Sequence, residues 1–359
     1  MAMKVSFMGQ VNGSGSWAAN AGTDLALFLK VFGHEVLATF ETKSTMLGKG
    51  MEKTITEGKS SSFPVFGTAS SRYHTPGESL LTDQDAASQD YLSTIKNNEK
   101  VIVVDDLLTA STFIDNLDEA RNHWQARSPY VKELGRALAK SMDRNLIGLA
   151  TLAARGSATI TGGYGGSVLS VAGIVGAANR KTMTAAQAIA LLHNAARRLD
   201  DKDVPEDGRY CVMEPWLYYT IVNSTDGRVL INTDYSSGGN GSAAKAKIYE
   251  VAGIVLLKSN NAAAVFGQNL TSVAGQQNTY TGDFRCTNMI VFHESAIGTV
   301  KLLDLALESD YMIERQGHLF VAKYAIGHGI LRPESAIAIR VTPTGAEESG
   351  ASTDTDGSI

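Results

Sequence analysis

The stretch "HESAIG", residues 293 to 298, contains the residue types that a serine hydrolase uses. His293 and Ser295 stand two positions apart and could act as a base and a nucleophile. Such a nucleophile needs a base within hydrogen-bond reach and a strained elbow such as GxSxG, and neither can be identified in the sequence. A cytosolic hydrolase that uses His293 and Ser295 is therefore only a distant alternative.

Two pairs of adjacent acids could in principle hold a metal ion or exchange protons. They are Asp105-Asp106 and Asp200-Asp201. Neighbouring side chains on a strand point in opposite directions, so adjacency in sequence does not bring two carboxylates to one ligand. We interpret both pairs as solvated ends of secondary-structure elements.

Metal and cofactor signals are equally weak. His318 and His328 have no carboxylate or cysteine at ligand spacing. Cys211 and Cys286 are too far apart for a metal or redox motif, and so few cysteines indicate a reducing compartment. The glycine-rich stretch 161 to 168 lacks the GxGxxG order of a phosphate loop, and we interpret it as a flexible junction between two lobes. We predict no catalytic residue, no metal and no cofactor.

Composition narrows the class of protein further. The chain has 359 residues, 43% of them hydrophobic and 19% charged, which is typical of a folded protein with more than one domain. Its net charge of -5 comes largely from the last residues, so we predict a disordered acidic tail and a nearly neutral body. No basic stripe indicates nucleic-acid binding, and no continuous apolar segment indicates a membrane span or a signal peptide.

One helix of unusual length stands out in "SPYVKELGRALAKSMDRNLIGLATLAARG". Ser128 suits the N-cap, Pro129 suits the first helical position, and Gly156 follows the end. Its apolar residues form a single stripe, and about 27 residues of helix extend about 40 Å. We expect this helix to act as a spine against which a sheet lies.

Shorter elements complete the pattern. We predict an amphipathic helix over 24 to 40 and a second over 184 to 199, where Thr184 and Gln187 have capping-box spacing. Strands are predicted at 209 to 213, 247 to 257 and 288 to 293, with a mobile loop at 233 to 244 and two strands within 317 to 341. This mixture of elements predicts the α+β class.

The polar stretch "EGKSSSFPVFGTASSRYHTPGESLLTDQD", residues 57 to 85, is too polar for core and too long for a turn. Extended segments flank it at 51 to 66 and 91 to 104, which predicts a large hairpin with a polar tip. An extended run from 59 to 72 spans roughly 45 Å, whereas a compact chain of this length has a radius of gyration of about 21 Å. Such an arm must wrap its own body or reach past it.

At "GKSSSFPVFGTASSRYHTPGESL" the sequence resembles the extended loop of the major capsid protein of short-tailed, podovirus-type bacteriophages. The resemblance continues through "EKVIVVDDLLTASTFIDNLDEARNHWQARSPYVKELGRALA" and returns in "HESAIGTVKLLDLALE" and "KYAIGHGILRPESA". With the helix "DLALFLKVFGHEVLATF" it covers most of residues 20 to 156 and 290 to 340, in the order of the family.

The resemblance implies the tailed-phage capsid fold, called the Hong Kong-phage type, with a long spine helix. The expected division is an N-terminal arm (1 to 50), an extended loop (51 to 105), a peripheral domain (106 to 156 and 301 to 341), an axial domain (157 to 300) and an acidic tail (342 to 359). It also implies self-assembly as hexamers and pentamers into an icosahedral shell. An encapsulin-like compartment of the same fold is the main alternative.

The resemblance further implies how copies hold together. The extended loop would lie on a neighbouring copy through Phe63, Pro64, Val65, Phe66, Tyr73 and Pro76. The alternative is that these side chains pack onto their own body. Some relatives of this fold lock their shells with a lysine-asparagine isopeptide bond, but no lysine occurs between Lys59 and Lys96 here, so we predict a non-covalent shell.

Further partners implied by the resemblance are a scaffolding protein, a portal and packaged double-stranded DNA, which the near-neutral body would contact without sequence specificity. No membrane is implied. The protein would be made in the cytoplasm of the bacterial host and would end in the virion capsid.

Overall fold

The computed structural model describes the following residues: 36, 38–40, 43–67, 69, 71, 73–74, 76, 95–115, 127–160, 163–172, 183–224, 241–242, 247–248 and 250–342. Its helices are α1 (Arg127–Ala154), α2 (Ala185–Asp200) and α3 (Pro215–Asn223). Its strands are β1 (Met51–Thr54), β2 (Ser60–Phe66), β3 (Asn97–Val103), β4 (Leu108–Asp115), β5 (Ser167–Ala172), β6 (Arg209–Met213), β7 (Gly241–Ser242), β8 (Lys247–Ile248), β9 (Glu250–Val251), β10 (Ile254–Lys258), β11 (Asn269–Leu270), β12 (Gly282–Asp283), β13 (Thr287–His293), β14 (Ile297–Met312), β15 (Gly317–Ile330) and β16 (Ala336–Thr342).

A four-stranded sheet is built around one long hairpin. Its strand order is β1-β14-β15-β4, and β14 pairs with β15 in antiparallel register from Ile297↔Ile330 to Met312↔Gly317. The hairpin turn contains Gln316 in the left-handed conformation. One face of this sheet contributes Phe320, Ala322 and Tyr324 to the main core.

A six-stranded sheet of order β5-β16-β13-β6-β10-β9 divides the interior into two cores. Side chains alternate along its strands: Val212 and Ile290 enter the main core with α1, whereas Cys211 and Val291 enter a second core with α2 and α3. Because a strand directs successive side chains to opposite faces, continuous apolar runs are the expected sequence for a sheet covered on both sides.

The spine helix confirms the sequence prediction, with α1 beginning at Arg127, one residue before the predicted cap. Residue Gly135 lets a second helical segment cross it, since a Cβ atom there would lie 2.8 Å from the Val36 carbonyl oxygen. The helix predicted over 24 to 40 is helical where the structure describes it, at Val36, 38–40 and Lys43. Val36 and Phe40 from this segment are buried in the main core.

Buried Asp143 fastens two distant loops to the spine helix. Its Oδ1 accepts hydrogen bonds from Ser44 Oγ at 2.7 Å and from the Met46 N–H at 3.1 Å. Its Oδ2 accepts from the Thr45 N–H at 2.9 Å and from Asn261 Nδ2 at 2.7 Å. A single carboxylate therefore orders the segment that leads into β1 and the turn that follows β10.

The helix predicted over 184 to 199 is confirmed, including its start. Thr184 is the N-cap of α2 and forms a reciprocal capping box with Gln187. The strand predicted over 247 to 257 is wrong as one element. Ala252 and Gly253 both adopt positive φ, and this tight turn folds the stretch into the antiparallel pair β9 and β10.

The predicted large hairpin is shorter than the sequence indicated. β2 pairs with β3 in antiparallel register from Ser60↔Val103 to Phe66↔Asn97; we call this two-stranded unit the ribbon. Met51–Thr54, predicted to continue the ribbon, instead pairs in parallel with Gly298–Lys301 of β14. The chain between them turns at Gly58, whose φ of 102° favours glycine. The predicted N-terminal arm up to residue 35, most of the loop 233 to 244 and the tail beyond 342 lie outside the described residues.

Two crossings between the sheets lie side by side. The chain passes from β13 to β14 through a 3-10 turn at Glu294–Ala296, and from β15 to β16 through a 3-10 turn at Pro333–Ser335. Ser295 Oγ donates to Ser335 Oγ at 2.9 Å, and the Leu331 N–H donates to the Ala296 carbonyl at 2.9 Å. The two turns are thus bonded to each other where the chain changes sheet.

Candidate assembly surfaces

The hydrogen-bond pattern of the ribbon fixes which of its groups face outward. The Gly67 N–H donates to the Lys96 carbonyl, and the Val104 N–H donates to the Lys59 carbonyl. In an antiparallel ladder hydrogen-bonded pairs alternate with non-hydrogen-bonded pairs. The pair Pro64↔Glu99 is therefore of the second kind, so the missing N–H of Pro64 costs no ladder bond. The backbone N–H and C=O groups of the even-numbered residues of β2 and of the odd-numbered residues of β3 therefore point outward, away from the partner strand.

The six residues predicted to contact a neighbouring copy fall into two sets. Val65 is only 3% exposed, and Phe63 packs against a small core cluster under the ribbon, so both face their own chain. For Val65 the prediction of an available contact surface is wrong, because alternate residues of β2 point inward. The remaining four residues are exposed: Pro64, Phe66, Tyr73 and Pro76.

Sequence reasoning missed one member of the outward face. Val101 is 54% exposed and stands opposite Ser62, on the same face as Pro64 and Phe66, which is 58% exposed. The alternation in "NNEKVIV" indicated this, since Ile102 is buried and its neighbour must point outward. Pro64, Phe66 and Val101 together form an apolar face that no described part of the chain covers.

The base of the ribbon crosses the long hairpin where three glycines allow backbone to approach backbone. A Cβ atom at Gly327 would lie 2.1 Å from the Val103 carbonyl oxygen. Cβ atoms at Gly298 and Gly329 would lie 2.8 Å and 2.6 Å from the Ile102 side chain. Any side chain at these positions would lift the ribbon from the hairpin.

Asp105, directly after the ribbon, is not the solvated end that its sequence indicated, because it anchors the ribbon to the loop that contains Gln277 and Asn278. Its Oδ1 accepts from the Gln277 and Asn278 N–H groups at 2.8 Å and 3.1 Å, and from Asn278 Nδ2 at 3.0 Å. Tyr280 donates its hydroxyl to Asp105 Oδ2 at 2.5 Å and accepts from the His328 N–H at 3.0 Å. Burial raises the pKa of Asp105 although these hydrogen bonds oppose the shift, and burial also raises the pKa of Tyr280.

His328 lies within this anchor and is completely enclosed. Its Nδ1 lies 3.0 Å from Thr299 Oγ1 on the paired strand. Burial, with a smaller contribution from the charge of Lys301, lowers the pKa of His328 from 6.5 to about 3. The histidine is therefore neutral in the folded chain at neutral and mildly acidic pH, and its role is structural.

Acid should destabilise the subunit through His328. An unfolded histidine takes up a proton as the pH falls through 6.5, whereas the folded one resists until about 3. Stability from this group is complete above about pH 6.5 and falls by up to about 1.4 kcal/mol per pH unit below it. We expect the difference in melting temperature between the wild type and His328→Asn to shrink from about pH 7.5 to about pH 4.5. A difference that stays constant across this range would contradict the assignment.

The predicted chemical motifs have structural roles. The structure brings His293 Nδ1 within 2.9 Å of Ser295 Oγ, but Nδ1 also accepts from the Ser295 N–H at 3.1 Å and thereby caps the turn that follows β13. Ser295 Oγ donates to Ser335 Oγ, so the pair holds the two turns together. Asp200 pairs with buried Arg209 at 2.7 Å, which holds the end of α2 to β6. Within the described ranges no group of His, Cys, Asp and Glu is arranged to hold a metal ion, and no helix there is long and apolar enough to cross a membrane.

The glycine-rich stretch predicted as a flexible junction instead closes on the end of the spine helix, where the structure describes it. Gly166 donates its N–H to the Gly156 carbonyl at 2.9 Å, and a Cβ atom at Gly166 would lie 2.4 Å from the carbonyl oxygens of Ala153 and Ala154. Lys202 Nζ donates to the Gly165 carbonyl at 2.7 Å. Glycine is needed here for close packing.

Comparisons with known proteins identify the family of the chain. Residues 62–340 match the family described as Gp10A-like major capsid protein. The chain is 33% identical to the major capsid protein of Escherichia phage T7 over 350 residues, which covers 92% of this chain and 96% of that protein. It is also 34% identical to the minor capsid protein of the same phage, over 92% of this chain and 83% of that protein.

Solved capsid structures share the fold. The capsid of Cyanophage P-SCSP1u matches with a TM-score of 0.72 and 33% identity, over 84% of this chain and 89% of that one. The mature capsid of bacteriophage PhiM1 matches with a TM-score of 0.62 at 19% identity, over 95% of this chain and 92% of that one, and supports the fold alone. These relatives support neither the encapsulin-like nor the hydrolase alternative. The chain therefore belongs to the Gp10A-like family of major capsid proteins, has the tailed-phage capsid fold of the Hong Kong-phage type, and is a structural protein of the virion capsid rather than an enzyme.

Proposed function

We propose that copies of this chain assemble as hexamers and pentamers that enclose the phage genome, and that the ribbon fastens each copy to its neighbour. The observation that carries this proposal is the apolar face of Pro64, Phe66 and Val101, which the described part of the chain leaves exposed. A two-stranded ribbon is marginal when isolated, because it buries little apolar surface. A neighbouring copy that covers this face would remove it from water.

The assignment of structural elements to domains follows the resemblance. The ribbon and the residues between its strands act as the extended loop, the long hairpin and the spine helix form the peripheral domain, and the six-stranded sheet with α2 and α3 lies in the axial domain around the capsomer centre. β16 joins the six-stranded sheet although its sequence follows the peripheral strands. Assembly in the host cytoplasm around a scaffolding protein and a portal, followed by DNA packaging, completes the proposal.

Deletion of residues 67 to 84 tests whether the ribbon fastens each copy to its neighbour, which we call the clamp role. We expect a soluble protein with native helix content that forms no shells, because the variant then lacks most of the segment between β2 and β3, which the resemblance assigns to the extended loop. Gel filtration, circular dichroism and electron microscopy measure these properties. Wild-type shells serve as the control and should dissolve in a denaturing gel to monomers of 38.2 kDa, because the contacts are non-covalent. Shells of normal size from the deletion variant would refute the clamp role.

A further inference from the structure

The outer edge of the long hairpin is an open strand. β1 covers β14 only from Gly298 to Lys301, and the last contact of this segment is the Ile55 N–H on the Lys301 carbonyl. From Leu302 to Asp310 no strand of the described part pairs with that edge. Beyond two register shifts, β14 and β15 form a regular ladder from Ala306 to Met312. An exposed edge of this kind is a template for another strand.

Charge limits which strand can pair there. Asp304, Glu308 and Asp310 are exposed along this edge, and Glu308 forms an ion pair with Lys323 on the adjacent strand. A second β14 edge would bring like charges together, which disfavours pairing. The acidic C-terminal tail is disfavoured for the same reason. A strand with basic residues would instead bring opposite charges together at this edge.

The ribbon offers one suitable edge and one blocked edge. On the outer edge of β2, Pro64 has no N–H to donate, and Lys53 Nζ already donates to the Ser62 carbonyl at 3.2 Å. On β3 the odd residues direct their backbone groups outward, and two exposed lysines, Lys96 and Lys100, flank the one exposed acid of this strand, Glu99. One outward donor of β3, the Glu99 N–H, is held by Asn98 Oδ1 at 2.8 Å.

We propose that the outer edge of β3 in one copy pairs with the outer edge of β14 in a second copy, so that one sheet continues across the boundary between subunits. This rests on the proposed function, in which the ribbon engages a neighbour, and it names the surface that receives it. The seven residues of β3 match in length the seven-residue regular ladder of β14 from Ala306 to Met312. Lys96 and Lys100 then approach the acidic edge, and such charge complementarity selects the partner and the register.

A pair of proline variants tests the backbone pairing. Val101 and Ser62 face each other in a non-hydrogen-bonded pair, so proline at either position spares the ladder between β2 and β3. Val101→Pro removes a donor from the proposed edge, whereas Ser62→Pro removes one from the blocked edge. We expect the yield of shells to stay within twofold of wild type for Ser62→Pro and to be at least tenfold lower for Val101→Pro than for Val101→Ala, which measures the loss of the side chain from the apolar face. Equal yields for the two proline variants would overturn the proposal.

Cross-linking gives a second measurement that needs no variant. Shells assembled from a mixture of light and heavy-isotope subunits are treated with a zero-length carbodiimide, which joins amines to carboxylates in contact. We expect peptides from different copies that link Lys96 or Lys100 to Asp304, Glu308 or Asp310. Links from these acids only to Lys4 would assign the edge to the N-terminal segment and overturn the proposal, as would the absence of any link at these acids.

The two proposals fail in different ways. Shells from the variant that lacks residues 67 to 84 would remove the clamp role itself. Loss of shells in that variant, together with normal assembly of Val101→Pro, would leave the clamp and remove only the pairing of β3 with β14.

Discussion

Replacement of Gly327 by alanine is expected to lower the free energy of unfolding by at least about 4 kcal/mol, in the range reached only by severe steric or burial defects. The added Cβ would lie 2.1 Å from the Val103 carbonyl oxygen and 2.9 Å from the Val104 Cα. Both atoms belong to the backbone, so no rotamer change relieves the contact. The ribbon base must shift from the hairpin or the strand must distort, and either change opens the cluster under Ile102.

Urea denaturation of unassembled subunits measures this effect, with Gly148→Ala as the matched control. Gly148 lies inside α1, and a Cβ there would lie 3.4 Å from the nearest atom, the Tyr280 carbonyl oxygen, which is ordinary contact. Alanine in a helix is favoured over glycine by about 0.5 to 1 kcal/mol, so this control should be neutral or slightly stabilising. A denaturation midpoint for Gly327→Ala equal to that of wild type would show that the close crossing is not as described.

Replacement of Asp143 by alanine is expected to destabilise the subunit by about 3 kcal/mol. A buried donor left without an acceptor costs about 1 to 3 kcal/mol, and only the Met46 N–H is fully buried, so water replaces part of what the other donors lose. Four donors lose their acceptor together: Ser44 Oγ, the Thr45 and Met46 N–H groups, and Asn261 Nδ2. The segment before β1 then loses its hold on the spine helix. We also expect faster amide exchange at residues 44 to 46.

Glu133→Ala is the matched control for Asp143, since Glu133 is an exposed acid on the same helix in an i,i+3 pair with Arg136. Its loss should change the free energy of unfolding by no more than about 0.5 kcal/mol. The stability of Asp143→Asn should lie between those of Asp143→Ala and Glu133→Ala. The amide keeps one oxygen that accepts hydrogen bonds, but its NH₂ group faces the two donors that the other oxygen had bound. If Asp143→Ala and Glu133→Ala are equally stable, the anchor contributes nothing.

Local signals in the sequence predicted local structure well. The capping box of Thr184 and Gln187 placed the start of α2, and the predicted first residue of the spine helix, Pro129, lies two residues after its observed start. Both depend on residues a few positions apart, whose interactions are the same in any fold. The two strands within 317 to 341 were predicted from their alternating side chains, although the sequence did not indicate that they belong to different sheets.

Contacts between segments that are far apart in the chain could not be predicted from the sequence. Met51–Thr54 was predicted to be part of the ribbon, because a sequence typical of a strand does not indicate which strand it pairs with. Its pairing with β14 depends on the folded chain. The roles of Asp105 and Asp143 depend on donors from other elements, so an acid that anchors a loop cannot be told from a solvated one. Val65 was assigned outward because the phase of the alternation in β2 was not used.

The paired turns at Glu294–Ala296 and Pro333–Ser335 have a mechanical consequence. A tensile force that pulls the two sheets apart is shared by the two covalent crossings, because the bonds of Ser295 to Ser335 and of Leu331 to Ala296 hold the crossings side by side. Connections that share a load in parallel yield at a higher force than connections that open in sequence. Under stretching, the subunit should therefore give way elsewhere before this double joint separates.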